Sequence, residues 1–269
     1  MDLGLENKTV LISGGSVGIG LAVAEEFLKE KANVIIAARN EERIKAVVAD
    51  LSAKYPGRRV WGKGADVSRR GDCESLAAFA ASVGGADILI SNAGAGSEEK
   101  CLDDNDDKWQ YYWDLHVMAT VRLTRLVVPQ MRERIAKGGG EGVVIVTTSM
   151  CATQPLYYEP IYNTTKAALT MFTRCLADEL IQYKIRALSI APGLVLTPDW
   201  YKTAGILSKQ EGITVQEYFD RIASSMTPIK RYASPEETAK FYVFLASKEA
   251  GYALGSNFHF DAGAMRAIS

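Results

Sequence analysis

"TVLISGGSVGIGLAVAEEFL", residues 9–28, decides the fold. A short apolar run at 9–13 gives way to Gly14, Gly18 and Gly20, and then to an alanine-rich segment with helix-friendly residues. Strand, glycine turn and helix in that order is the context in which such a spacing binds a nucleotide. Glycines permit the tight turn and let the backbone approach a pyrophosphate, which then rests over the helix N-terminus. A tight turn with no ligand is the alternative that this stretch alone leaves open.

The rest of the chain repeats the alternation. Apolar runs at 33–38, 59–65, 87–91, 142–148, 185–191 and 257–261 read as further strands. They lack strict polar alternation, as strands covered on both faces do. Helical segments are expected at 18–30, 41–54, 72–83, 105–136, 159–183 and 235–247, the last opened by Ser234, Pro235 and two glutamates. This pattern predicts an α/β chain in which one doubly wound domain of Rossmann type spans 1–269, with a seven-stranded parallel sheet and helices on both faces. Residues 198–232 break the rhythm and are expected to form a segment over the substrate site.

Composition narrows the function. With 48% hydrophobic and 23% charged residues and a net charge of −1, the chain has no electrostatic footprint for nucleic acid or an anionic membrane. Cys73, Cys101, Cys151 and Cys175 form no CxxC pair, which argues against a metal site and for a reduced, cytoplasmic setting. The apolar runs are too short to span a bilayer. After the second strand stands Arg39, where a nucleotide fold selective for NAD(H) usually carries a carboxylate. A guanidinium there pairs with a 2′-phosphate, so NADP(H) is preferred, with NAD(H) as the alternative.

With these pieces in place, the chain resembles the short-chain dehydrogenase/reductase family from about Leu5 to Gly263. "SGGSVGIG" is similar to its glycine turn, "ADV" (65–67) to its adenine-contacting element, and "SNAG" (91–94) to its NNAG element. "SMCATQPLYYEPIYNTTK" (149–166) has its serine-to-tyrosine and YxxxK spacings, and "APGLVLT" (191–197) its PGxxxT element. The resemblance implies a cofactor site made of Gly14, Ser16, Gly18, Ile19, Gly20, Arg39, Asp66, Val67, Asn92, Ala93, Gly94, Pro192, Gly193, Val195 and Thr197, shared with Tyr162 and Lys166. It also implies catalysis by Ser149, Tyr162 and Lys166, and assembly as a homotetramer or homodimer.

The chemistry suits those residue types. Reducing a carbonyl takes a hydride and a proton, and a free tyrosine titrates near ~10, which makes it a poor proton sink for the reverse reaction. Lys166, one helical turn from Tyr162, together with the positive charge of the oxidised nicotinamide, is expected to draw the phenol down toward working pH, while Ser149 steadies the carbonyl oxygen. A departure from the family falls on the long helix at 105–136, where His116 takes the place of an asparagine that distorts the helix and holds a water. Histidine can hold the same water or relay the proton itself; packing in the core is the plainer alternative.

The expected substrate is a small ketone or alcohol. Met150, Leu156, Tyr157, Tyr158, Trp200, Tyr201, Tyr218 and Phe219 suggest an apolar or aromatic one, unless many of them pack the covering segment itself. The best-supported activity is an NADP(H)-preferring oxidoreductase that interconverts a carbonyl and a secondary alcohol; the nearest alternative is an NAD-dependent alcohol dehydrogenase. A nucleotide-sensing protein without chemistry would have no use for the Tyr/Lys pair. A serine hydrolase lacks its GxSxG elbow around Ser149.

Overall fold

Strands buried on both faces need apolar side chains pointing both ways, and the register delivers this. The computed structural model describes residues 2–103, 105–156 and 158–266. Its strands are β1 (Thr9–Ser13), β2 (Asn33–Ala38), β3 (Val60–Gly64), β4 (Ile88–Ser91), β5 (Gly142–Thr147), β6 (Ile185–Pro192) and β7 (Asn257–Phe260). All pair in parallel in the order β3-β2-β1-β4-β5-β6-β7. Leu11, Ile35, Leu89, Val144 and Ala187 point into one core, and Ile12, Ile36, Ile90, Ile145 and Leu188 into the other. Every expected strand is present, shortened or extended by a residue or two at its ends.

The helices are α1 (Gly18–Lys29), α2 (Glu41–Lys54), α3 (Arg70–Ser82), α4 (Asp106–Tyr112), α5 (Ala119–Ala136), α6 (Pro160–Leu180), α7 (Pro198–Glu211), α8 (Val215–Met226) and α9 (Pro235–Ala246). Leu76 of α3, Leu123 of α5 and Leu169 of α6 fill the first core; Phe27 of α1, Ile44 of α2 and Tyr242 of α9 fill the second. The sheet is therefore doubly wound. Its order reverses between β1 and β4, which opens a crevice at the strands' C-terminal ends where such sheets bind ligands.

One expectation changes. The helix at 105–136 is not continuous: α4 passes into a π-helical stretch at Trp113–Met118 before α5 begins. Such wide turns cluster at functional sites, and this one carries His116. The segment 198–232 is largely helical. It forms α7, entered through Pro198, and α8, which has a capping box between Thr214 and Glu217. Among the described residues, no helix is long and apolar enough to cross a membrane.

The crevice floor tolerates no extra atoms. A Cβ added at Gly20 would run into the Gly14 carbonyl oxygen and come within 2.6 Å of Asn92 Nδ2. Gly20→Ala should therefore destabilise the protein by about 1–3 kcal/mol, as overpacking does, and lower the urea midpoint. An unchanged midpoint would show that the turn yields freely.

Candidate active site

At the reversal point β1 and β4 are locked together by side chains. Ser13 Oγ accepts from the backbone N–H of Asn92 (3.0 Å) and of Ala93 (3.2 Å). The Asn92 amide donates to the carbonyl oxygens of Ser13 and Gly14 at 3.3 Å each, and its own oxygen accepts from Thr147 Oγ1 at 3.3 Å. Gly14 sits at φ +71°, and a Cβ there would meet Ala93 Cα at 2.9 Å. The cap position of α1 is Val17, whose side chain supplies no acceptor. The first N–H groups of α1, around Gly18, Ile19 and Gly20, thus remain available to an anion. The buried Ser16 lies in the turn between them.

These residues fit a dinucleotide. Asp66, at the end of the segment after β3, accepts from the Ser68 N–H at 3.1 Å and hydroxyl at 2.7 Å, which orients its carboxylate, and Val67 is buried below it. The exposed Arg39 donates from Nη1 to Tyr111 Oη at 2.9 Å, an α4 contact that holds the guanidinium over this end of the crevice. At the other end, Gly193 leaves β6 so close to Asp261 that a Cβ would lie 2.7 Å from its Cα. Beyond Pro192 and Gly193, Val195 bridges to Ala233, and Thr197 reaches within 3.4 Å of where a Gly18 Cβ would be. The segment after β6 therefore closes against the glycine turn.

Ser149 follows β5 and caps a 3-10 turn at Met150–Ala152, its hydroxyl accepting from Cys151 N–H at 3.2 Å. Tyr162 and Lys166 stand one turn apart on α6. The buried Lys166 donates from Nζ to the Thr147 carbonyl oxygen at 2.8 Å and lies 5.4 Å from the Tyr162 ring centre. His116 meets the Tyr162 ring edge-on at 5.7 Å. Its Nε2 accepts from Ala95 N–H at 3.2 Å, so the proton resides on Nδ1, which donates to Thr165 Oγ1 at 2.8 Å; that hydroxyl donates on to the Tyr162 carbonyl oxygen at 2.9 Å. Ser149, Tyr162, Lys166 and His116, far apart in sequence, converge at one end of the crevice.

The protein's own electrostatics, without the nicotinamide charge, run the other way. In the protein alone Tyr162 is not drawn toward neutrality: burial, reinforced by Cys151 and only partly offset by a hydrogen bond from Ser149, pushes its phenol above the ordinary range. Burial also lowers Lys166 to about 8. A charge one turn away is a weaker influence than the loss of water around both groups. In the protein alone, burial thus favours the neutral form of the Tyr162 phenol. Burial and the Lys166 charge drop His116 to about 2, and protein groups occupy both its nitrogens. It braces the β4 exit against α6 as a neutral ring.

The aromatic residues of 198–232 mostly serve each other. Tyr218 and Phe219 are buried, Tyr201 and Tyr232 pack on Phe219, and Trp200 packs on Tyr232 at 5.3 Å. They pack α7 and α8 against the segment at Tyr232, while Tyr201 stays exposed. Around the Tyr162 phenol the apolar neighbours are Met150, Cys151, Leu156 and Met226. Tyr157 lies outside the described residues.

Comparison with known proteins places this geometry. The profile of the short chain dehydrogenase family matches residues 8–204. The chain belongs to that family. It is an NAD(P)-dependent dehydrogenase/reductase, an oxidoreductase acting on a carbonyl or an alcohol. A dehydrogenase/reductase SDR family member 4 from Oryctolagus cuniculus is 34% identical, over 93% of this chain and 91% of the relative. An uncharacterized oxidoreductase, YvrD, of Bacillus subtilis is 31% identical, with both chains covered fully. The crystal structure of L-sorbose reductase from Gluconobacter frateurii, complexed with NADPH and L-sorbose, superposes with a TM-score of 0.95 at 47% identity, again with both chains fully covered.

Several residues that position this short-chain dehydrogenase's site escaped the sequence reading. Ser97 and Glu99 reach from the β4–α4 loop to the first N–H groups of α6, Thr147 supplies the carbonyl for Lys166, and Thr165 links His116 to the helix. Polar residues of this kind carry no periodic signal.

If His116 is held as described, its ring resonances will not titrate between about pH 4 and 9, unlike an exposed histidine near ~6.5. His116→Leu should leave the Ala95 N–H unpaired and cost about 1–3 kcal/mol in urea unfolding. A midpoint near neutrality would mean that the ring is open to water.

Proposed function

We propose that the chain is an NADPH-dependent reductase of a polyhydroxylated ketone, with Tyr162 as the general acid. The observation that carries this reading is the end-to-end identity of 47% with an enzyme whose complex contains NADPH and L-sorbose. Two features of the chain support it. Tyr218, Phe219 and Tyr232 are buried in their own cluster, and Arg39, just past β2, is bonded to Tyr111.

The residues divide the work as follows. Gly14, Ser16, Gly18, Ile19 and Gly20 cradle the pyrophosphate at the α1 N-terminus. Asp66, Val67, Asn92, Ala93 and Gly94 line the adenosine side, and Arg39 pairs with the 2′-phosphate. Pro192, Gly193, Val195 and Thr197 border the nicotinamide, which when bound supplies the hydride. The Ser149 hydroxyl and the Tyr162 phenol hold the ketone oxygen. As that oxygen becomes an alkoxide, Tyr162 gives it the phenolic proton, and the nearby Lys166 ammonium stabilises the phenolate left behind. The raised proton affinity of Tyr162 suits this direction, because the donor stays loaded at neutral pH. His116 is a positioning residue in this scheme. The segment 198–232 acts as a cover within one domain spanning 1–269. Pairing of copies through α5 and α6, where Met171 is exposed, completes it as a homodimer or homotetramer.

The test is NADPH oxidation by the purified protein with L-sorbose, related ketoses and unsubstituted ketones. Ketoses should be reduced in preference, and Tyr162→Phe should lower kcat by about 10²–10⁴-fold, the range for a lost general acid. Preference for apolar ketones, or a Phe variant of full activity, would overturn the reading. For the cofactor, Arg39→Asp should reduce kcat/KM with NADPH by roughly tenfold or more, the scale of a charge-assisted phosphate contact, and with NADH much less. Equal losses would remove Arg39 from cofactor choice.

A further inference from the structure

The N-terminus of α6 is capped in an unusual way. Its cap position is Glu159, which is not one of the short polar residues that ordinarily accept from the first free N–H groups of a helix, and its side chain makes no capping bond. The donors are taken by the loop between β4 and α4. Ile161 N–H donates to Glu99 Oε1 at 3.0 Å and Tyr162 N–H to Ser97 Oγ at 3.1 Å, while the Ser97 hydroxyl donates to the same Glu99 oxygen at 3.0 Å. Lys108 balances the Glu99 charge at 3.1 Å. The capping work has moved to another element, and no hydrogen bond or ion pair holds the Glu159 carboxylate among the described residues.

Its location is specific. Glu159 Oε1 lies 2.7 Å from where a Cβ on Gly96 would stand; two residues earlier, the Cβ position of Gly94 lies 3.3 Å from His116 Nε2 and 3.5 Å from Lys166 Nζ. The same extended stretch therefore passes the Lys166 side of the site at Gly94 and the free carboxylate at Gly96, about 7 Å further on. Glu159 precedes Tyr162 by three positions on the helix, and its charge acts on the Tyr162 phenol and the Cys151 thiol. A half-buried acceptor without a donor, next to the proton donor of the reaction, fits a hydroxyl brought by the substrate.

We infer that Glu159 is a substrate-binding residue: its carboxylate accepts a hydrogen bond from a hydroxyl of the polyhydroxylated ketone whose carbonyl sits on Tyr162 and Ser149. This rests on the function proposed above and gives it a specificity determinant. Burial and the neighbouring Glu99 and Glu98 carboxylates push the Glu159 pKa up to about 7, the strain expected of an acceptor whose donor arrives with the ligand. Gly96 belongs to the same device, since any side chain there would displace the carboxylate. A ketone without hydroxyl groups leaves Glu159 unpaired and is thereby disfavoured.

The test compares Glu159→Leu and Glu159→Gln with the unmodified protein, using L-sorbose and cyclohexanone as substrates at saturating NADPH. Fluorescence titration of NADPH and thermal melting serve as controls for folding. Glu159→Leu should lose roughly tenfold to a hundredfold in kcat/KM for L-sorbose, mainly through KM, as expected for a hydrogen bond to a charged acceptor. Glu159→Gln, which keeps an acceptor, should lose less. Cyclohexanone should be reduced at least as well as before, with NADPH affinity unchanged. Equal losses on both substrates, or none on L-sorbose, would overturn the Glu159 assignment and leave the ketose reductase reading standing. Failure of the unmodified protein to reduce any ketose would refute that reading first, and the assignment with it.

Discussion

The hydrogen bond from Lys166 Nζ to the Thr147 carbonyl oxygen organises this molecule. An ammonium 3% exposed must find a partner, and the partner here is the last residue of β5, two positions before Ser149. The bond fixes how α6 is turned against the sheet. It thereby sets which face of the helix, with Tyr162 on it, looks toward Ser149. A neutral carbonyl does not fully repay the lost hydration, so the lysine releases its proton more easily than usual. Geometry and proton affinity are two results of one contact.

The rest of the site is arranged to keep that helix in place. His116 ties it to the β4 exit through Thr165, while Ser97 and Glu99 hold its first turn. Two elements that are remote in sequence thus grip α6 from the same side. The widened turn at Trp113–Met118 is what brings the imidazole inward. The division of labour at the helix start then frees Glu159 for a role outside the fold.

Much of this was legible beforehand. The seven strands could be read because burial on both faces writes itself as unbroken apolar runs, and the glycine turn because Gly14, Gly18 and Gly20 answer to backbone constraints. Ser149, Tyr162 and Lys166 stood out by spacing. A distortion at His116 was implied by the family resemblance, though not its π-helical form, and the aromatics of α7 and α8 resemble pocket walls as much as packing. The upward push of burial on Tyr162 was hidden for a related reason. Sequence shows that a lysine is one turn away, but not that both groups are cut off from water. Glu159 was in view all along, yet its freedom depends on Glu99 and Ser97, some sixty residues earlier.

The contact between Gly20, the Gly14 carbonyl and the Asn92 amide has a bearing on heredity. Gly14 and Asn92, just past the ends of β1 and β4, and Gly20 on α1 occupy one another's space so fully that Gly20 cannot acquire atoms while the others stay as they are. Viable change at this spot would call for simultaneous replacements, which random drift rarely supplies. The crevice floor is therefore less open to replacement than an exposed position such as Arg39.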